Sequence, residues 1–280
     1  MIRDEHNEIV AFPTVSVGLP VFNGEKTIRQ AIESILSQTY TDFELIISDN
    51  SSTDLTGQIC SEYTKADRRI IYLKQNSNFG ASANFKFVLS KARGEYFMWG
   101  ASDDHWHPLF IEKNISNLEA HPNAISSISN VLLDGEKYTE ADSGVFPLTG
   151  TEVTKLRTLC RYPGANSRFY SLFRKAAFDK VEIHRNYVAA DWSIISELIR
   201  KGDMLTIHEY NGFFRSLSGA GSSPKRFFSN RRSLSELFLP YAQFSNDVLA
   251  RTTDLATIFF LGRLNAKAIF EQLKYFVTRK

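Results

Sequence analysis

A chain of 280 residues, 43% hydrophobic and 23% charged, has the make-up of a soluble globular protein, long enough for one large domain, or a domain with an appendage, around an ample core. A net charge of +2 excludes bulk electrostatics as the selector of a partner. The charge is uneven, however: from Lys225 to Lys280 there are ten Lys and Arg against four Asp and Glu, and the part before is net acidic. Such a tail suits phosphate or anionic lipid, or is simply a solvated helix face. The two cysteines, Cys60 and Cys160, lack metal-ligand spacing and read as reduced core residues. MIRDEHNEIVAF has no apolar leader, and the apolar run Leu255 to Leu261 is too short to span a bilayer. The expectation is a cytoplasmic protein, with peripheral contact at the inner face of the cytoplasmic membrane left open by the tail.

In chain order, Thr14 to Leu19 reads as a strand and Pro20 to Gly24 as a turn, followed by a helix in which Ile28, Ile32, Ile35 and Leu36 recur at helical spacing. Glu44 to Ser48 is a second, buried strand. Asp49 to Asp54 supply turn and N-cap chemistry for a helix carrying Leu55, Ile59 and Tyr63. Ile70 to Leu73 is a third strand, Gly80 to Lys91 a third helix with Phe85, Val88 and Leu89 on one face, and Tyr96 to Trp99 a fourth strand. This alternation predicts an α/β fold, a mostly parallel sheet covered by helices on both faces. Ligands of such sheets collect at the carboxyl edges of the strands, so Asn23, Asp49 and the Asp103-Asp104 pair should converge on one crevice. Beyond Ala124 the alternation weakens: Ile125 to Leu133 and Phe169 to Phe173 read as strands, Trp192 to Arg200 as a helix, Met204 to Phe214 as extended and Ser216 to Ser223 as a glycine-rich loop. From Pro224 onward the pattern is helical.

The stretch FMWGASDDHW, residues 97 to 106, ends a run of large apolar side chains in two adjacent carboxylates, whose repulsion calls for a compensating positive charge. On its own the pair is as well explained by a turn that caps the helix beginning near Pro108. The wider pattern is more specific. VSVGLPVFNGEKTIRQAIESILSQTYTDFELIISDNSSTD (15 to 54), NSNFGASANFKFVLSKARGEYFMWGASDDHW (76 to 106) and, more weakly, Ala190-Asp191-Trp192 resemble, in order and spacing, the family-2 inverting glycosyltransferases, which share the GT-A fold. The resemblance covers about the first three-quarters of the chain. It departs from the family at Ala83, Ala101 and Ala190, where many members carry Arg, an acid and Glu.

The resemblance implies a GT-A catalytic domain over 1–223, with a nucleotide-binding half at about 12–106 and an acceptor half at about 107–223, and a C-terminal helical extension over 224–280. It implies transfer of a sugar from a nucleotide-diphospho-sugar (UDP-sugar favoured, dTDP- or GDP-sugar also admitted) to a saccharide or lipid-linked acceptor hydroxyl, in polysaccharide, lipopolysaccharide or other glycoconjugate assembly. Asp104 would hold Mn²⁺ or Mg²⁺ on the departing diphosphate, since hard carboxylate oxygens suit those ions. Asp103 would lie near the ribose. Pro20, Phe22, Asn23, Glu25, Asp49, Asn78 and Gly80 would line the donor, with Phe22 offering a ring to the base and Asp49 accepting from a pyrimidine imide. Arg215 would meet the diphosphate as the loop after it closes, or else is a solvated side chain. Asp191 would be the general base; read from the sequence alone it is a helix N-cap first. Asp54 reads as a cap, and His105 and His107 as solvated loop residues that could add ligands. Nucleic acid is not an expected partner. The aromatic and basic tail (Phe227-Phe228, Arg231-Arg232, Phe259-Phe260, Lys274-Tyr275-Phe276) suits packing on the catalytic domain or on a second subunit slightly better than a membrane surface. Two alternatives stay open. One is a catalytically idle sugar-nucleotide binder or scaffold, kept alive by Ala101 and Ala190. The other is a nucleotidyltransferase of related sheet topology, although LPVFNGEK lacks the basic, glycine-rich loop that triphosphate binding needs.

Overall fold

The computed structural model describes residues 2–3, 9–10, 12–133, 136–137, 139–185, 187–216 and 239–277. The first half runs β1 (Val15–Val21), α1 (Ile28–Leu36), β2 (Phe43–Asp49), α2 (Thr56–Ala66), β3 (Ile70–Lys74), α3 (Ala81–Lys91) and β4 (Tyr96–Trp99). The second runs β5 (His105–Trp106), α4 (Phe110–Ala120), β6 (Ala124–Leu133), β7 (Glu136–Lys137), α5 (Glu140–Ser143), α6 (Glu152–Arg161), β8 (Leu172–Arg174), α7 (Ala190–Leu198), β9 (Asp203–Arg215), α8 (Ala242–Leu249) and α9 (Leu255–Val277). One sheet takes the order β3-β2-β1-β4-β8-β6-β9-β5, with β7 beside β6.

Side-chain parity builds the layers, because successive residues of a strand face opposite sides. Val15, Val17, Leu19 and Val21 of β1, with Tyr96 and Met98 of β4, enter the core that α1, α2 and α4 cover. Phe97 and Trp99 of β4 and Ile46 of β2 enter the core that α3, α6, α7, α8 and α9 cover. Gly18 sits where α3 crosses closest: a Cβ there would lie 2.8 Å from Val88 Cγ2 and 3.0 Å from the Phe97 ring. Gly18→Ala should therefore overpack this contact and lower stability by about 1–3 kcal/mol; an unchanged denaturant midpoint would show that α3 can yield.

Strand direction places the site. β1, β2, β3 and β4 are mutually parallel. β8 is antiparallel to both β4 and β6, and these two reversals restore the direction of β6 and of its parallel neighbour β9. The carboxyl end of β9 thus reaches the same edge of the sheet as those of β1, β2 and β4, though more than a hundred residues separate β9 from β4.

Several elements differ from expectation. β1 continues through Pro20 to Val21. The proline is tolerated because Gly18, on the same side of the strand, makes the last bond towards β4 by accepting from Gly100 N–H, while Val21 bonds the other way, to Asn50 N–H. Phe169 to Phe173 is not one strand: Ser167–Tyr170 form a 3-10 turn and only Leu172–Arg174 are extended. Asn166 enters that turn in the left-handed region (φ 49°), which apolar patterning does not reveal. Leu55 precedes α2 and is 59% exposed instead of lying on its packed face. Of the tail, α8 and α9 bear out the helical pattern, whereas 217–238, with Phe227-Phe228 and Arg231-Arg232, lie outside the described residues.

Candidate active site

The paired aspartates end β4 through a tight turn, after which β5 pairs antiparallel with the last residues of β9. Two flat ring stacks pin the pairing: His105 on Phe214 (centroids 4.7 Å) and Trp106 on Phe213 (5.4 Å). His105 is thus packed on a ring, with burial lowering its pKa. His107 Nδ1 accepts the Leu109 N–H at 3.2 Å. His105 is thus part of the β5–β9 pairing, and His107 follows it with its N–H donating to the Gly212 carbonyl.

That register delivers Ser216 to Asp104. The Ser216 N–H donates to Asp104 Oδ1 at 2.9 Å, while Asp104 Oδ2 is buried and has no hydrogen-bond partner among the described residues. Burial, with Asp103 adding to it, pushes the Asp104 carboxyl up to about 7, against the pull of Arg215 and the Ser216 N–H. Burial likewise raises Asp103, again opposed by Arg215. Arg215 lies inside this group of acids. It donates to the Ala165 carbonyl and, at 3.2 Å, to Ser167 Oγ, and its guanidinium lies 5.0 Å from the centre of the Tyr170 ring.

Asp191 belongs to the same group. It is the second residue of α7, and the residue in the N-cap position is Ala189, in the left-handed region (φ 64°), so Asp191 is not the cap expected of an Asp before a helix. Its Oδ2 accepts from Asn166 Nδ2 at 2.7 Å. Burial raises its pKa, while Asn166 and then Arg215 act to lower it. A carboxylate held among protein groups, with its proton affinity raised, suits a general base more than a surface cap does. Asn166, Tyr170 and Ser216 were not legible as site residues. The only sequence signal was the Pro163-Gly164-Ala165-Asn166 turn composition, which fits a left-handed Asn but gives it no task.

The residues expected to line the donor form a second set. Asp49 is fully buried at the end of β2, its Oδ1 accepting the Ser52 N–H (2.7 Å) and its Oδ2 the Tyr72 hydroxyl (2.8 Å). Asn23 is left-handed (φ 51°); its Oδ1 accepts the Thr53 N–H, and its own N–H reaches Ser52 Oγ. Glu25 accepts the Leu55 N–H, while Asp54 accepts those of Glu25 and Thr56. Asn23 and Glu25 therefore clasp the loop after β2 and shape the crevice through backbone position. Asp54 serves the start of α2. Pro20 is buried within β1, and Phe22 is 44% exposed, not tucked into the core. Asn78 Oδ1 accepts from Asn50 Nδ2 and from the Gly80 N–H, both at 2.9 Å. Gly80 needs its φ of +87° to start α3.

A divalent cation fits this geometry at Asp104, whose buried, unpartnered Oδ2 beside a second carboxylate is the donor set such an ion seeks. Among the described residues no group of three His, Cys, Asp or Glu could enclose a metal, so further ligands would have to come from elsewhere. No helix of the described residues is long and apolar enough to cross a membrane.

Residues 16–182 match the model of glycosyl transferase family 2. The chain is 38% identical over 105 residues to TuaG of Bacillus subtilis, named as a teichuronic acid biosynthesis glycosyltransferase, an alignment covering 37% of this chain and 41% of that protein. In other curated glycosyltransferase relatives the chain spans between 14% and 61% of their length. Among solved structures, S. aureus TarS in complex with UDP-GlcNAc is similar at a TM-score of 0.61 and 18% identity, over 78% of this chain and 64% of that one. The Pyrobaculum calidifontis mannosyltransferase PcManGT, with GDP-Man and Mn²⁺, is similar at 0.57 and 14% identity, over 96% and 84%. At these identities the two structures show a common fold.

Proposed function

The chain belongs to glycosyl transferase family 2, and from that premise we propose that it is an inverting, metal-dependent glycosyltransferase that moves a sugar from a nucleotide-diphospho-sugar to an acceptor hydroxyl in polysaccharide or other glycoconjugate assembly. The observation that carries the reading is the convergence at one sheet edge of Asp104, with an unpartnered oxygen, Arg215, and Asp191, held by Asn166. Mn²⁺ or Mg²⁺ on Asp104 would act as a Lewis acid for the charge that grows on the leaving diphosphate. Arg215, whose charge already acts on Asp103, Asp104 and Asp191, supplies a second positive group for the same diphosphate. Asp191 takes the acceptor proton as the acceptor oxygen attacks the anomeric carbon, its carboxylate held by Asn166 through Oδ2. Phe22 offers its exposed ring to the base, and the loops carrying Asn23, Glu25, Asn78 and Gly80 wall the nucleoside. The donor half is then about 12–106 and the acceptor half about 107–223. A UDP-sugar is favoured, in line with the UDP-GlcNAc bound to TarS; the GDP-Man on PcManGT keeps a GDP-sugar in the screen.

The test is a thermal-shift screen of UDP-, GDP- and dTDP-sugars with and without Mn²⁺, followed by an assay for nucleoside diphosphate released with saccharide acceptors. A metal-dependent shift with one donor base and release on adding acceptor are expected. Binding without release in any acceptor would favour the idle binder that Ala101 and Ala190 kept open. Asp49 has its own test. Both its oxygens are occupied, so Asp49→Ala would disturb the loop as well as the base, whereas Asp49→Asn keeps an acceptor for Ser52. This variant should fold and bind a UDP-sugar more weakly by about 1–3 kcal/mol, the scale of a hydrogen bond to a charged group. Unchanged affinity by calorimetry would leave Asp49 a loop-holding residue only.

A further inference from the structure

The long helix α9 is fastened along one side and bare along the other. Its inner face buries Thr257, Leu261, Asn265 and Ala268. Arg157 pairs with Asp254 (2.6 Å) just ahead of the helix, the Arg161 guanidinium lies 5.5 Å from the Phe260 ring, and Asn265 bonds both the Tyr241 N–H and Ser245 Oγ. These ties to α6 and α8 fix the helix rotation, so the outer face cannot turn inward. On that face Leu255, Ile258, Phe259 and Phe270 are 81%, 39%, 61% and 65% exposed. Between them Gly262 opens onto space, with nothing within 4 Å of a Cβ built there. The charged residues of α9 are Arg263, Lys267 and Lys274 against one acid, Glu271. The Arg263 guanidinium lies 5.9 Å from the Phe259 ring centre, which keeps its aliphatic stem along the apolar surface and its charge at the edge.

We infer that this face of α9 lies flat on an anionic membrane surface. Charge complementarity selects the occupant. A helix with apolar side chains on its exposed face and three cations to one acid matches acyl chains beneath phosphate headgroups, and lying in that interface it buries such a stripe without spanning. A second copy is the weaker fit. A two-fold contact would bring a helix carrying three cations and one acid against a copy of itself. The stretch from Leu255 to Phe270 extends about 24 Å at 1.5 Å per residue.

The experiment is co-sedimentation of the full chain with phosphatidylglycerol vesicles and with pure phosphatidylcholine vesicles, alongside light scattering in solution. Wild type should bind the anionic vesicles roughly tenfold or more tightly than the zwitterionic ones, and lose that preference at high salt. Phe259→Ser with Phe270→Ser, and separately Arg263→Glu with Lys267→Glu, should abolish sedimentation. The exposed positions of these side chains should leave the melting temperature and turnover on a soluble acceptor unchanged. Equal sedimentation of wild type and both variants, or none by wild type, overturns the inference. So does a wild-type dimer that the variants convert to monomer, which would assign the face to a second copy. The sedimentation and light-scattering readouts depend on neither the metal nor the sugar donor.

Discussion

Asp104→Asn should abolish sugar transfer, by about 10²-fold or more, while leaving a protein at least as stable as the wild type. The activity loss follows from removing a group that stabilises developing charge, for which that factor is typical. The stability expectation follows from burial. The Asp104 carboxyl is raised from 3.8 to about 7, so its contribution to stability is present while it is protonated, below about pH 4, and is lost as pH rises through about 7. An amide carries no such loss and still accepts from the Ser216 N–H, so at pH 8 the melting temperature should match or exceed that of wild type. The stabilisation of wild type by Mn²⁺ with a nucleotide should vanish in the variant. Retained turnover in Asp104→Asn, or wild-type turnover undiminished by excess chelator, would remove the metal from the proposal. If turnover is lost but the melting temperature falls by many degrees, Asp104 is instead holding the β4–β9 junction through Ser216, and its role is structural.

What was legible in the sequence divides along the sheet. From β1 to β4 the strands alternate with amphipathic helices at short spacing, so apolar periodicity fixes each element and the carboxyl-edge rule fixes where Asp49 and Asp103-Asp104 emerge. Beyond β4 the site depends on tertiary pairings that periodicity cannot carry. Arg215 joins the acids because β8 reverses the sheet twice and β5 doubles back on β9, and neither event has a local signature in His105-Trp106 or Leu172-Phe173-Arg174. Asn166 depends on a left-handed residue at the entrance to a 3-10 turn, in a stretch whose aromatic residues also fit a strand. Asn23 and Glu25 show a related limit. Their residue types suit a ligand, but the loop after β2 offers unpaired N–H groups nearby, and those consume the side chains. The resemblance to a family points to whole loops without saying which of their side chains the loops themselves take up.

Asp191→Asn is the second large effect and the more demanding test, because it separates chemistry from scaffolding. Asp191 is not the N-cap of α7, so the substitution removes no cap, and an amide oxygen can still accept from Asn166 Nδ2. Stability and donor affinity should barely move, and turnover should fall by about 10²–10⁴-fold, the usual contribution of a positioned general base. Asn166→Gly then asks whether the positioning is real. Glycine adopts φ 49° without strain, so only the side chain is lost. The bond from Asn166 favours the charged carboxylate; without it the Asp191 pKa, already raised by burial, rises further. A base must be ionised to act, so the acid limb of the kcat profile should shift to higher pH, with the donor KM unchanged and much of the lost rate recovered at alkaline pH. A uniform fall at every pH would make Asn166 a packing residue of the 163–167 turn. Near-wild-type turnover in Asp191→Asn would end its assignment as the base, and the acceptor proton would then have to leave to another group at the same sheet edge.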